Sequence, residues 1–111
     1  MELDFEKEYQ LFGDFWGLDA QLRMAVEEMS ELTKEICKLI RYTNDKQIGG
    51  GEEKIKQIKA DLQGEIADVL NCVDQLRCLF GKEQIDAIRA QKITRTVAKV
   101  EQLKKQEGDE Q

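Results

Sequence analysis

The 111-residue chain contains no histidine. Catalytic arrangements of the Ser–His–Asp and Cys–His kinds are therefore excluded within this chain. So are a di-iron bundle built on Glu-x-x-His pairs and any transition-metal site that depends on imidazole. Proline is absent as well, so no helix is broken by its ring. No apolar run approaches the ~20 residues a membrane helix needs. The opening MELDFEKEYQ is charged from the start, which does not suit a secretory leader. The three cysteines, Cys37, Cys72 and Cys78, form no C-x-x-C pair. Each falls inside an apolar helical pattern and reads as a reduced core thiol, which points to the cytoplasm.

Charge is what the chain has in quantity. Seventeen basic and 23 acidic residues leave a net charge of −6. Such a protein repels DNA and anionic membranes in bulk, so neither is expected as a partner. A phosphorylated ligand would have to be met by a local basic cluster or by bound cations. Whatever chemistry the chain performs must run on carboxylates, lysines, arginines and an oxygen-preferring metal.

The apolar residues repeat at helical period, and the length suits one domain, 1–111. The expectation is an all-α bundle of three long helices plus a short N-terminal one. The short helix is placed around Leu3–Leu11, with a turn at Trp16-Gly17 and Asp19 as the next cap. From Asp19 to Tyr42, Leu22, Val26, Met29, Leu32, Ile36 and Leu39 form a one-faced stripe. The run NDKQIGGG, Asn44–Gly51, reads as a loop. From Glu52 to Phe80 the stripe is Leu62, Ile66, Val69, Val73, Leu76 and Phe80, with a kink or split expected near Gln63 and Gly64. Ala67, Leu70, Cys72, Cys78 and Leu79 widen it past one face. A helix apolar on several sides wants several neighbours, and in so short a chain a second subunit is the natural one. Gly81 closes this helix. The last runs from Lys82 to Lys105 with Ile85, Ile88, Ile93, Val97, Val100 and Leu103 as its stripe, and the tail 106–111 is expected to fray.

Two acid pairs stand out. Glu28 and Glu31 are three apart, as are Glu65 and Asp68, so each pair shares a helical face beside an apolar stripe. A solvated acidic face accounts for either pair in isolation. If the two helices pack antiparallel through their stripes, the four carboxylates meet at one seam. They then require a counter-ion, and an all-oxygen set suits Mg²⁺ or Mn²⁺.

The order EEMSEL at Glu27–Leu32, a loop-bearing spacer, then EIADVL at Glu65–Leu70 resembles the signature of the MazG-like all-α nucleoside triphosphate pyrophosphohydrolases. The related dimeric dUTPases and dCTP pyrophosphatases share that helical core. The resemblance covers roughly Leu22 to Leu79 and is carried by a two-part motif in the right order. It implies hydrolysis of nucleoside triphosphates to monophosphate and pyrophosphate. It also implies Mg²⁺ on Glu28, Glu31, Glu65 and Asp68, and a homo-oligomer, dimer or tetramer, with active sites near subunit contacts. Glu27 matches a further acid of the motif that orients or activates water, so the expected general base is Glu27 or Glu31.

Lys92, Arg95 and Lys99 share one face of the last helix. Gln91-Lys92-Ile-Thr-Arg95 approximates the family's Asn-Lys…Arg element, with Gln91 where asparagine is expected. By that likeness Lys92 and Arg95 would bind substrate phosphates; a solvated basic face fits the same residues. Trp16 suits either a stacking platform for a base or a core plug, the commoner role of a lone tryptophan. A different class of function, a non-catalytic acidic helical module for a basic partner, accounts for the charge and the wide apolar helix without a metal.

Overall fold

The computed structural model describes residues 4–44 and 51–110. It is all-α. Four helices follow in order: α1 (Phe5–Trp16), α2 (Leu18–Asn44), α3 (Gly51–Phe80) and α4 (Lys82–Glu110). The expected all-α class, with one short and three long helices, is what the chain forms. No helix among the described residues is long and apolar enough to cross a membrane.

Local chemistry explains the boundaries. Asp4 caps α1, its side chain accepting a hydrogen bond from the Lys7 N–H at 3.3 Å. α1 runs past the expected end at Leu11, because the first residue to break it is Gly17 at φ 85°. The Gly17 N–H donates to the Gly13 carbonyl at 2.9 Å and closes the helix. Asp19, expected as a cap, instead lies within the first turn of α2 and pairs with Arg23 at 2.8 Å. The negative charge still opposes the positive end of the helix dipole. Most of the expected loop Asn44–Gly51 falls on 45–50, outside the described residues; Asn44 ends α2 and Gly51 opens α3. The kink expected near Gln63 does not split α3, which passes through Gly64 as one element. α4 continues beyond Lys105, and the tail expected to fray is helical as far as Glu110.

Contacts divide the chain, expected as one domain, into two compact units, Met1–Leu76 and Arg77–Gln111. Within the first, α2 and α3 run antiparallel. Near one end Lys54 Nζ stands 5.6 Å from the centre of the Tyr42 ring. Further along, Glu28 meets Glu65 and Asp68. Beyond that, Ala20 and Met24 share a cavity with Cys72 and Gln75. The mating rows are Ala25, Glu28, Leu32 and Glu35 on α2 against Ile58, Leu62, Glu65, Val69, Cys72 and Gln75 on α3, all buried or half-buried. Among the described residues Ile58, 1% exposed, is the most enclosed large side chain, and Tyr9 and Ala25 are the other buried apolar ones. Tyr9 ties α1 to α3 by donating its hydroxyl hydrogen to Asp74 Oδ2 at 2.9 Å.

These rows share only Leu32, Leu62 and Val69 with the stripes that periodicity picks out. Val26, Met29 and Ile36 on α2, and Ile66 and Val73 on α3, are exposed. The seam is rotated toward the acids. Many large apolar side chains thus face outward, a pattern consistent with oligomerisation. Cys37 is exposed and so is not the core thiol expected; Cys72 and Cys78 are half-buried.

In the second unit Gly81 turns the chain at φ 120°. A Cβ there would meet only the movable end of the Gln84 side chain, so it is the positive φ that calls for glycine. Arg77 grips Asp86 across this turn with two hydrogen bonds of 2.6 Å. That grip, ahead of the positive charges of Arg77, Arg89 and Lys82, holds the Asp86 carboxyl below its ordinary range. A depressed folded-state pKa contributes stability that is complete above the unfolded value, about 3.9. It is lost as pH falls from there through the folded value. The melting temperature is therefore expected to drop more steeply between about pH 5 and pH 3 in the native chain than in Asp86→Asn. Parallel curves would remove Asp86 from the acid response.

Candidate metal centre and adjoining cavity

Glu28 sits one helical turn from Ala25, which is buried, and from Leu32. Burying alanine at 25 lets α3 approach closely and carries Glu28 into the seam. On α3 the spacing Ile58–Leu62–Glu65–Val69–Cys72 does the same for Glu65, and Asp68 follows one turn on. One carboxylate oxygen from each of Glu28, Glu65 and Asp68 lies within 4.8 Å of the other two. Glu28 and Glu65 are half-buried and Asp68 is exposed.

The electrostatics are those of an uncompensated anionic cluster. The Glu28 carboxyl titrates above its ordinary range, first because the seam strips water from it. The charges of Asp68 and Glu65, a hydrogen bond with Glu65 and the charge of Glu27 add to the effect. The same negative potential, after burial, pushes up the Cys72 thiol through Glu28 and Asp68. Glu65 Oε2 is buried and has no hydrogen-bond partner. A buried carboxylate oxygen facing other carboxylates is short of positive charge. These donors, hard oxygens at close quarters with one lone pair uncommitted, fit a divalent cation of the Mg²⁺ or Mn²⁺ type.

Two further expected acids do not join this group. Glu31 is exposed and outside the group. Three residues along the helix rotate its side chain roughly 60° from Glu28, away from the row that holds Ala25 and Leu32. Glu27 is exposed too. One turn beyond Leu32 the seam instead holds Glu35, which is buried and paired with Lys38 at 3.3 Å. Lys92, Arg95 and Lys99 are exposed on α4, in the second unit.

Beside the acids lies a cavity of about 640 Å³, and Glu28 and Asp68 belong to its wall. α1 supplies an aromatic side built from Phe5, Tyr9, Phe12 and Trp16. Trp16 is 60% exposed, with Phe15 edge-on to it at 5.2 Å and Phe12 at 5.9 Å. It is no core plug. The opposite side is α3, with Asn71, Cys72 and Gln75. Sequence reasoning missed Tyr9 and Gln75. A signal for Gln75 existed: it stands two turns from Asp68 and one from Cys72, so helical period alone puts it on the acid-bearing face.

With the fold and these side chains in view, the chain matches no protein-family model, no curated protein and no solved structure.

Proposed function

We propose that this chain is a magnesium-dependent nucleoside triphosphate pyrophosphohydrolase of the MazG-like type, acting in the cytoplasm as a homo-oligomer. The observation that carries the reading is the seam itself: three carboxylates from the two motif segments converge, one keeps a buried unpartnered oxygen, and an aromatic cavity opens beside them. A polar, charge-deficient end next to an apolar, ring-sized end suits a ligand that is polyphosphate at one end and heterocycle at the other.

In this reading Glu28, Glu65 and Asp68 hold Mg²⁺, or Mn²⁺ in its place. Glu31 is the fourth ligand that the motif resemblance adds. A divalent cation supplies charge stabilisation for phosphoryl oxygens and lowers the pKa of bound water. The chain's own residues orient the rest. Trp16 and Phe12 offer faces on which a base stacks. Glu27 or Glu31 takes the proton of the attacking water as general base. The assignment of substrate phosphates to Lys92 and Arg95 rests on the motif resemblance alone.

The outward apolar rows would also serve a non-catalytic acidic module that binds a partner helix. Such a module has no use for three carboxylates converging in the seam beside an aromatic cavity, and the hydrolase reading is preferred for that reason. Pyrophosphate release from a panel of ribo- and deoxyribonucleoside triphosphates, with Mg²⁺ and with chelator, separates the two. Metal-dependent release with monophosphate as co-product is the expected result. Silence across the panel at high protein concentration would favour the module.

A further inference from the structure

Gln75 is only 6% exposed, yet its side-chain Nε2 has no hydrogen-bond partner. A buried amide donor left unpaired is costly to the fold, and native chains rarely keep one without a use. Gln75 is also part of the cavity wall. The Tyr9 hydroxyl, on the same cavity wall, donates to Asp74 and does not accept from the amide.

We infer that Gln75 is a specificity-determining residue of the cavity, donating from Nε2 to a hydrogen-bond acceptor on the edge of a planar heterocycle held against Phe12 and Trp16. The inference rests on the proposed nucleotide reading for the identity of that heterocycle. The terminal carboxamide torsion is soft, so a ring entering the cavity draws Nε2 to its edge with little strain. Because the orphan is a donor, the matching group is an acceptor. Every base has ring acceptors; the position that separates them is C4 of a pyrimidine or C6 of a purine, oxo in uracil and guanine and amino in cytosine and adenine. With Nε2 facing that position, uridine and guanosine bind in preference to cytidine and adenosine. A site with a buried polar group discriminates by what a wrong partner leaves unpaired, not by shape alone.

The test is separable from hydrolysis. Binding of free nucleosides, without phosphate and in chelator, is read from quenching of the single tryptophan, Trp16, which lines the same cavity. The native chain is expected to favour uridine over cytidine by about five- to tenfold, the size of one well-made neutral hydrogen bond. Gln75→Leu, which removes the orphan donor at similar volume, is expected to lose that preference while its unliganded melting temperature stays level or rises. A merely structural glutamine would instead lower the melting temperature and leave the uridine-to-cytidine ratio untouched. Should the leucine variant not fold, Gln75→Met, unbranched like glutamine, carries the same comparison. Retention of the native preference in the variant overturns the inference. So does a native preference for cytidine, or no binding of any nucleoside at millimolar concentration. Selective nucleoside binding in a chain that releases no pyrophosphate would sustain the role of Gln75 and sink the hydrolase reading instead.

Discussion

Asp68→Asn and Glu28→Gln should each remove the response to Mg²⁺ while leaving the metal-free chain at least as stable as before. The two halves of that result have one cause. Glu28, Glu65 and Asp68 bring oxygens within 4.8 Å of one another. Neutralising one of them relieves repulsion in the empty seam, so the metal-free melting temperature should hold or rise. The same change removes a ligand. Saturating Mg²⁺ stabilises a folded state that alone binds it, by about 2.7 kcal/mol at a hundredfold excess over Kd. The native chain should show such an upward shift in melting temperature and the variants should not. Loss of supporting groups around a metal already costs about 10- to 100-fold in affinity or activity. Loss of a ligand should therefore reduce pyrophosphate release at least that far. A variant that loses activity and also unfolds early would argue for an ordinary structural carboxylate. A variant with full activity would sink the metal assignment.

Ile58→Ala should be the most damaging single change to the fold. Ile58 is 1% exposed, and the fully buried apolar set of the described residues is otherwise only Tyr9 and Ala25. Isoleucine to alanine at such a site costs about 2–5 kcal/mol through lost transfer energy and the cavity left behind. A domain's whole stability is about 5–15 kcal/mol, so the loss is a large share of it. Loss of helical circular dichroism near physiological temperature is the expected readout. The contrasting change, Val26→Ala, removes a side chain that is 63% exposed in the single chain. It should leave helix content nearly unchanged at low concentration. Equal damage from the two would mean that the seam is not where the α2–α3 contact lies.

Much of this was legible in the sequence, and the failures share a reason. Helix number, helix order and the breaks at Gly17 and Gly81 follow from period and glycine placement. So does the face shared by Glu65 and Asp68. The mating face of α2 does not follow. Leu22, Val26, Met29, Leu32, Ile36 and Leu39 form the more apolar row, and a hydrophobicity pattern selects it, though only Leu32 and Leu39 of these are half-buried. The chain instead packs along Ala25, Glu28, Leu32 and Glu35. Periodicity cannot tell a row meant for the same chain from a row left for another surface. Two acids in the inner row make it look like the outer one. The same rotation leaves Glu31, a neighbour of Glu28 along the helix, exposed, because Ala25 marks the inward direction. Trp16 shows the complementary limit. Composition gives no way to tell a plug from a platform, because the difference depends on whether α1 lies flat against its neighbours or leaves a space.

Glu28 and Asp68 belong at once to the acid cluster and to the cavity wall. Occupancy of one region is thereby a thermodynamic variable of the other. Whatever factor a cation at the acids applies to the affinity of a ring in the cavity, the ring applies to the cation, because the cycle of binding steps must close. If the acids take up a cation as proposed, a ligand too small to carry phosphate would still alter how tightly they hold it. The midpoint of a Mg²⁺ titration would then report which heterocycle lies against α1.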